Sequence, residues 1–246
     1  MNKSAVVFLA WGEKYINEVN HCIDSSHSID QYDLFIVTDQ TTEISNPKLN
    51  IIRADFETDG LLRKTELINY LPEGYNVFLF LDSDTVVLED ISLGFEKARK
   101  HGIAIAPAPH YSLDYFFGFG KIMKNEHMQT LGQLHYNTGV IFFNTKENTL
   151  SVFKKWKTLA KKYQKVRQND QPFFSMALEQ LEFNPYTLSI SYNYRGYGDA
   201  ISGKVRIWHS HKPMPKDINQ FKLVWPPRRA IPGKVLHPET RVKGKV

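Results

Sequence analysis

Two aspartates, Asp82 and Asp84, stand one residue apart at the end of an apolar run in the segment FLFLDSDTVVLED, residues 78–90. Carboxylates beside an apolar core are unfavourable unless a cation or hydrogen-bond donors compensate them. Where a strand breaks into a turn, carboxylates at i and i+2 can converge on one hard cation such as Mg²⁺ or Mn²⁺. The alternative is that one aspartate caps the turn and the other lies on the surface. Four large apolar residues before the pair favour the metal site.

The elements that must hold this pair follow from the apolar pattern of the chain. Short, nearly continuous apolar runs predict strands buried on both faces. These runs are AVVFLA, DLFIVTD, NIIRADF, NVFLFLD, IAIAPA, NTGVIFFN, TLSISYN and VRIWH. Helical spacing of apolar residues predicts helices over residues 13–25, 61–71 and 151–167. Together they predict an α/β fold with a mainly parallel central sheet flanked by helices, and ligands of such sheets bind beyond the carboxyl ends of the strands.

Two classes of enzyme place an Asp-x-Asp pair after a strand. FLFLDSDTVV resembles the opening motif of haloacid-dehalogenase-like phosphatases, in which Asp82 would be the phosphoryl-accepting nucleophile. Metal-dependent, nucleotide-sugar glycosyltransferases of the GT-A fold instead use both carboxylates to help hold a metal ion. The phosphatase motif usually opens its chain and is followed by a second acidic pair after a later strand. Here three predicted strands precede Asp82, and the later segment RQNDQPFF is no such pair, so the context favours the glycosyltransferase.

Five segments between about residues 5 and 213 resemble glycosyltransferase family 8, the glycogenin and bacterial galactosyltransferase group. They are FLAWGEKYINEV, RKTELINYLPEGYNVFLFLDSDTVVLEDI, YNTGVIFFNTKE, NDQPFFSMAL and VRIWHSHKP. Each is weak evidence alone, but five in the family's order are specific. The resemblance implies a GT-A, Rossmann-like nucleotide-diphospho-sugar transferase fold. It also implies transfer of a hexose from a UDP-sugar with Mn²⁺ or Mg²⁺ and with retention at the anomeric carbon.

The same resemblance assigns roles to individual residues. It implies that Tyr15 stacks on uracil, that Asp170 contacts the donor sugar and that Gln171 faces the anomeric carbon, and these last two are the implied catalytic residues. The implied metal ligands are Asp82, Asp84 and His209. The implied contacts to the bound donor are Ala10, Tyr15, Lys64, Asp82, Ser83, Asn137, Gly139 and Lys212.

The closing segment VRIWHSHKP departs from the family pattern, which has a glycine and a longer gap between its histidine and its lysine. Here Lys212 follows His209 by three residues, with no glycine between them. The cation that binds the diphosphate is therefore open among Lys212, Arg206, Lys216 and an arginine of the C-terminal tail. Of the two histidines, His209 directly follows the apolar strand and is the expected metal ligand, whereas His211 is expected to face phosphate or solvent.

Four of these residues also have a purely structural interpretation. Tyr15 could pack in the core with its hydroxyl outward, and Lys64 could be an ordinary surface lysine. Asn137 could form a turn at the start of its strand. Asp170 could cap the helix that begins at NDQPFF, with Pro172 in the first turn.

Two further features concern how closely a ligand can approach. Gly139 lacks a side chain, so a ligand could reach the backbone there. The aromatic loop PAPHYSLDYFFGFG, residues 107–120, carries two glycines. We expect it to border the acceptor site as a lid, and the alternative is a hydrophobic cluster beneath a loop.

Length and charge bound the remaining possibilities. With 246 residues and 42% hydrophobic content, the chain is expected to form one catalytic domain over residues 1–215 and a basic tail over residues 216–246. Residues 221–246 hold seven Lys or Arg and one Glu, a net +6, so the other 220 residues sum to −1. A nucleic-acid partner is therefore not expected. The tail is either a solvated end, which its Pro and Gly content favours, or a weak contact to an anionic membrane.

The cellular setting is read from cysteine usage and from the N-terminus. Cys22 is the single cysteine, so no disulfide can form within the chain, which fits a reducing, cytoplasmic location. The N-terminal apolar stretch lacks a cleavage pattern and predicts the first strand. The favoured function is thus transfer of a sugar from a UDP-sugar to a saccharide or other hydroxyl acceptor. The alternatives are a metal-dependent phosphohydrolase using Asp82 and a non-catalytic nucleotide-sugar-binding module.

Overall fold

The computed structural model describes residues 3–196, 203–216 and 218–219, apart from the side chains of residues 109–111. Its strands are β1 (Ser4–Leu9), β2 (Asp33–Thr38), β3 (Leu49–Arg53), β4 (Val77–Leu81), β5 (Thr85–Val87), β6 (Ile103–Ser112), β7 (Leu134–Asn144), β8 (Tyr186–Thr187) and β9 (Ile207–His209). Its α-helices are α1 (Glu13–Ser25), α2 (Ser92–His101), α3 (Phe119–Asn125), α4 (Glu147–Tyr163) and α5 (Gln171–Gln180). Short 3₁₀ segments cover His27–Ile29, Gly60–Tyr70, Leu113–Tyr115 and Ile190–Tyr192.

A seven-stranded sheet in the order β3-β2-β1-β4-β7-β6-β8 forms the centre of the fold. Strands β3, β2, β1 and β4 are parallel to one another, β7 is antiparallel to both β4 and β6, and β8 is parallel to β6. A separate two-stranded sheet pairs β5 with β9. The predicted α/β fold with a mainly parallel sheet is confirmed.

The central strands are buried on both faces because alternate side chains enter two different cores. Phe78 and Phe80 pack on one face with residues of α4 and α5, Trp156 among them. Leu79 and Leu81 pack on the other face with residues of α1 and α2. All four strand residues are fully buried, and each contributes about 1.5–3 kcal/mol relative to exposure. This double burial explains the continuous apolar run before the aspartate pair.

The predicted elements match the structure except at a few places. The helix over residues 13–25 is confirmed as α1, whereas the segment predicted as helix 61–71 is the 3₁₀ segment Gly60–Tyr70. Helix α4 begins and ends four residues before the predicted bounds of 151–167. The predicted strand TLSISYN is wrong beyond Thr187, since Ser189 Oγ accepts from the backbone of Ser191 and turns the chain into a 3₁₀ segment.

Among the helices of the described residues, none is both long and apolar enough to cross a membrane. The basic tail lies outside the described residues apart from 216, 218 and 219. Both interpretations of the tail, and the domain boundary at residue 215, stay predictions.

Candidate active site

The site lies where the carboxyl end of β4 meets the first residues of β7. Because these strands are antiparallel, Leu81 stands opposite Val140, and the backbone N–H of Asp82 donates to the carbonyl of Gly139 at 2.8 Å. The segment that holds Asn137 and Gly139 is thereby brought beside the aspartate pair. The carboxyl end of β1, which pairs with β4, borders the same edge of the sheet.

Three side chains compensate the aspartate pair. Lys64 Nζ lies 2.7 Å from Asp82 Oδ1. His209 Nε2 lies 3.5 Å from Asp82 Oδ2 and 3.2 Å from Asp84 Oδ1, and His211 Nδ1 lies 3.5 Å from Asp84 Oδ2. Burial works to raise the pKa of Asp84, but the hydrogen bond and charge of His209, when protonated, outweigh it and hold that pKa well below its usual range. Asp84 is therefore a carboxylate at neutral pH.

The orientation of His209 suits a metal ligand. Its Nδ1 lies 2.7 Å from Asn193 Oδ1, while Asn193 Nδ2 donates to Asn137 Oδ1 at 3.0 Å. Since the amide nitrogen of Asn193 is already used, its oxygen must accept, and the imidazole proton sits on Nδ1. The opposite nitrogen, Nε2, then faces the two carboxylates. Metal-binding histidines are commonly fixed by such a partner on the other ring nitrogen.

The donor set fits a hard divalent cation. One ligand atom each from Asp82, Asp84 and His209 lies within 4.8 Å of the other two. Two carboxylate oxygens and one imidazole nitrogen suit Mn²⁺ or Mg²⁺, and both ions accept further oxygens from water or phosphate. The residues at this corner of the sheet therefore fit the cofactor expected from the sequence.

Gly139 makes room for these ligands. A Cβ at this position would lie 2.0 Å from His209 Cε1 and 2.8 Å from Asp82 Oδ2. The sequence predicted that a ligand approaches the backbone here. The structure shows that the groups closest to Gly139 are two of the candidate metal ligands themselves.

Lys64 is buried between two carboxylates. It is only 7% exposed, and its Nζ lies 3.7 Å from Asp170 Oδ2 as well as beside Asp82. Burial lowers the pKa of Lys64, but the charges of Asp170 and Asp82 raise it by more, so the lysine stays positively charged. The interpretation of Lys64 as a surface residue is wrong.

Asp170 directs its carboxylate into the site instead of capping α5. It stands at the N-cap position, yet its side chain accepts no capping hydrogen bond. Its Oδ2 accepts from Thr138 Oγ1 at 2.7 Å, and its carbonyl accepts from Trp156 Nε1 at 2.8 Å. The capping interpretation is wrong for the side chain. Burial and the nearby Asp82 raise the pKa of Asp170, against the opposing effect of Lys64.

The neighbouring Gln171 contacts β7. Its amide Nε2 lies 3.1 Å from Nε2 of His135, which stands two residues before Asn137 on β7. Asn137 itself is buried within β7, and its Oδ1 accepts from the backbone N–H of Gly139 at 2.9 Å. It therefore lies inside a strand and does not form a turn before one.

The closing segment is held by the small sheet. Strand β9 pairs with β5, so that His209 stands opposite Thr85, and the N–H of Ser210 donates to the carbonyl of Asp84 at 2.9 Å. His211 is 60% exposed, but its Nδ1 lies 3.0 Å from Glu18 Oε1 on α1. His211 was expected to face phosphate or solvent. The structure shows that it also contacts the carboxylates of Glu18 and Asp84.

Comparisons with known proteins decide the family. The sequence profile of glycosyl transferase family 8 matches residues 9–220. The chain belongs to this family. Galactosyltransferase LgtC, solved with donor and acceptor sugar analogues, is similar over 85% of this chain and 87% of that one, at 14% identity and a TM-score of 0.57. The apo form of mouse xyloside xylosyltransferase 1 is similar over 87% of this chain and all of that one, at 15% identity and a TM-score of 0.58. No curated protein sequence matches the chain.

At these identities the solved structures establish the fold alone, and the family profile establishes the class of enzyme. The predicted GT-A fold and the resemblance to family 8 are confirmed. This family 8 protein is a glycosyltransferase. Its donor, its metal and its site residues are not established by the comparisons.

Tyr15, the residue expected to stack on uracil, lies near the start of α1. This side chain is 39% exposed in the first turn of α1, and its ring lies 6.5 Å from that of Trp11. It is therefore not a core residue, and stacking on uracil stays a prediction. Ala10 is buried directly after β1, and Ser83 Oγ donates to Glu18 Oε2 at 2.6 Å.

The cation that binds the diphosphate also stays a prediction. Lys212 is exposed just after β9, and its backbone N–H donates to Ser210 Oγ. Arg206 donates to the carbonyl of Asp90 at 2.6 Å, and its guanidinium lies over the ring of Tyr192. Both contacts hold Arg206 outside the aspartate cluster. Lys216 is exposed, and the arginines of the tail lie outside the described residues.

Sequence reasoning missed four residues that hold this family 8 site together. They are Glu18, His135, Thr138 and Asn193. Thr138 and His135 stand in or beside the segment YNTGVIFFNTKE and could have been weighed with it. Glu18 stands in the segment FLAWGEKYINEV and could have been weighed in the same way. Asn193 carries no spacing signal, since only the folded chain brings it to residue 209.

The aromatic loop of residues 107–120 divides into two parts. Phe116 and Phe119 are buried and join the core, where Phe116 packs against the ring of His135 at 4.7 Å. Tyr115 and Phe117 are exposed by 80% and 71%. The hydrophobic-cluster interpretation is thus confirmed for the first pair, and the lid stays a prediction for the second.

Proposed function

We propose that this glycosyltransferase moves a hexose from a UDP-sugar to a hydroxyl of a saccharide or similar acceptor, with Mn²⁺ or Mg²⁺ held by Asp82, Asp84 and His209. The observation that carries the proposal is the convergence of these three ligand atoms within 4.8 Å, with the His209 proton fixed on the far nitrogen by Asn193. This arrangement leaves Nε2 directed at the carboxylates. A cation at that point is the simplest reason for such a constellation beside an apolar strand.

The chemistry to be supported is loss of a diphosphate leaving group. A divalent ion bound by these residues neutralises charge on the diphosphate without proton transfer. Lys64 maintains the geometry of the site, since its single ammonium joins Asp82, a metal ligand, to Asp170, a sugar-side residue. The flat, partly exposed ring of Tyr15 offers a stacking surface for uracil.

The residues on the sugar side position the donor. Asp170 is oriented by Thr138 and Lys64, which leaves it placed to accept hydrogen bonds from donor-sugar hydroxyls. Gln171 stands next to it and faces the anomeric carbon in this proposal. The bond from that carbon to the phosphate oxygen breaks, and a bond to the acceptor oxygen forms on the same face. The acceptor proton goes to the departing phosphate oxygen.

The deciding experiment is a donor screen with the full chain. Purified protein is incubated with Mn²⁺ and a panel of nucleotide sugars, and release of UDP is measured with and without EDTA. We expect slow, Mn²⁺-dependent UDP release with one or a few UDP-sugars, and its loss in Asp82→Asn. Matched Asp90→Asn removes a carboxylate that lies beside Ser92, at the start of α2, and should retain activity.

Other outcomes would point to the alternatives. Binding of UDP without release of UDP from any UDP-sugar, with or without acceptors, would support a nucleotide-sugar-binding module. Release of phosphate from simple monoesters in the absence of nucleotide would support a phosphohydrolase using Asp82. A cytoplasmic location, and the absence of a nucleic-acid partner, stay predictions from the sequence.

A further inference from the structure

Among the described residues, His135 is the one buried histidine near the site that the proposed reaction does not yet use. It is fully buried on β7, and its ring packs edge-on against Phe116 at 4.7 Å. Its Nδ1 has no hydrogen-bond partner within the part of the chain that the structure describes. An unpaired buried polar group is unfavourable and calls for an explanation.

The other ring nitrogen does have a partner. His135 Nε2 lies 3.1 Å from Nε2 of Gln171. An amide nitrogen can only donate, so the ring nitrogen must accept, and the single proton of a neutral imidazole must then sit on Nδ1. Burial lowers the pKa of His135 to about 4, so the ring is neutral at physiological pH.

This contact decides which atom of Gln171 is available to a ligand. The amide nitrogen is engaged by the histidine, whereas Oε1 makes no hydrogen bond to any described residue, and the side chain is only half-buried. An amide without such an anchor could present either end. With the anchor, the oxygen is the end left for the pocket.

We infer that His135 is a positioning residue that fixes the amide of Gln171 with its oxygen available to the donor sugar. The inference rests on the proposed function, in which Gln171 faces the anomeric carbon. Positive charge develops on that carbon as the diphosphate departs. A fixed carbonyl dipole with its negative end toward the carbon stabilises that charge, whereas an N–H group would oppose it.

The first test does not depend on turnover. In the unmodified full chain, nitrogen–proton correlation spectra of the imidazole rings report the tautomer of His135. We expect the proton on Nδ1. A proton on Nε2 would overturn the inference, because that nitrogen could not then accept from the amide. The spectrum of Gln171→Ala assigns the contact, since the His135 signals should shift in that variant and an unchanged spectrum would also overturn it.

The second test uses UDP release by the active protein. His135→Phe keeps an apolar ring but removes the acceptor, and we expect kcat to fall about 10- to 100-fold, the range seen when orienting partners are lost. The KM for the UDP-sugar should change less than about twofold, because the nucleotide contacts lie elsewhere. His135→Gln, whose amide oxygen can lie near the position of Nε2, should restore most of kcat.

The decisive comparison is a double-mutant cycle. In a Gln171→Ala background, His135→Phe should cause no further loss of kcat, since there is no amide left to position. An equal further loss, or a loss mainly in KM, would show that His135 is a packing residue only. If no UDP-sugar is turned over by the unmodified protein, the proposed function fails, while the tautomer measurement still decides whether His135 anchors Gln171.

Discussion

Replacing Gly139 by alanine should remove metal binding with little damage to the rest of the fold. The added Cβ would lie 2.0 Å from His209 Cε1 and 2.8 Å from Asp82 Oδ2. Carbon atoms in contact normally lie about 3.5–4.0 Å apart, so the imidazole must retreat by roughly 1.5 Å or more. Metal ligands must keep their distances within about 0.2 Å. The displaced His209 can therefore no longer bind the ion together with Asp82 and Asp84.

Gly139→Ala should lose as much stability as other substitutions that add a methyl group to a filled site. Inserting a methyl group into a filled site destabilises by about 1–3 kcal/mol. The φ angle of Gly139 lies outside the left-handed region, so no backbone strain is added. Gly74→Ala is the matched control, because Gly74 has a φ of 83° with no atom near the added Cβ. That variant loses about 1–2 kcal/mol through backbone strain and leaves the site intact.

The measurement is calorimetric titration of both variants with Mn²⁺ in the presence of UDP, alongside their thermal unfolding. We expect both to lose comparable stability and only Gly139→Ala to lose Mn²⁺ binding. Unchanged Mn²⁺ affinity in a folded Gly139→Ala protein would refute the reasoning. It would show that Mn²⁺ binds without His209 and Asp82 in the positions that they have beside Gly139.

Four further outcomes follow from the same geometry. Asp84→Asn should abolish sugar transfer and Mn²⁺ binding with an unchanged circular dichroism spectrum, and full activity of this variant in EDTA would contradict the metal role. Tyr15→Ala should weaken UDP binding by about 1–3 kcal/mol, the scale of base–aromatic stacking, and unchanged affinity in a UDP titration would place uracil elsewhere. Asp170→Asn should lower kcat far more than UDP affinity, whereas equal losses would indicate damage to the start of α5. His209→Ala should lose Mn²⁺ binding and His211→Ala should retain it, since His209 is buried with Nδ1 fixed by an amide whereas His211 is exposed; the reverse pattern in titrations would move the ligand by two residues.

The fold could be predicted because its decisive signals are local. The run from Phe78 to Leu81 is apolar at every position, and that pattern alone indicates a strand buried on both faces. The aspartate pair then had to lie at a carboxyl end, where the ligands of such sheets bind. By contrast, TLSISYN has a strand-like pattern but forms a 3₁₀ segment after Ser189. The side chain of Ser189 accepts a hydrogen bond from the backbone N–H of Ser191, and this competes with strand pairing. Apolar periodicity does not detect such a hydrogen bond.

The site could be predicted only where its residues belong to continuous segments. The spacing of Asp82 and Asp84 at a strand end is enough to predict a metal site. The groups that orient these two side chains come from distant positions in the sequence. Asn193 meets His209 because the next residue, Tyr194, bridges to Trp208 of β9. The family resemblance implies a donor contact for Lys64, whereas its residue type alone favours the surface. Its pairing with two carboxylates is something that no local pattern could predict.

The charge balance of the site supports the divalent ion of the proposed function. Glu18, Asp82, Asp84 and Asp170 bring four carboxylates close together. Among the described residues, Lys64 is a buried cation between two of them, and the charge of Arg195 also acts on Asp84. That lysine is already paired on both sides, so it has little charge to offer an incoming diphosphate. A donor with further negative charge would be repelled by the carboxylates alone. A bound divalent cation becomes the largest local charge and reverses the field at this point. In the proposed function the same carboxylates would hold the ion and make the site depend on it, and Lys212, exposed after β9, would act on the diphosphate beside that ion.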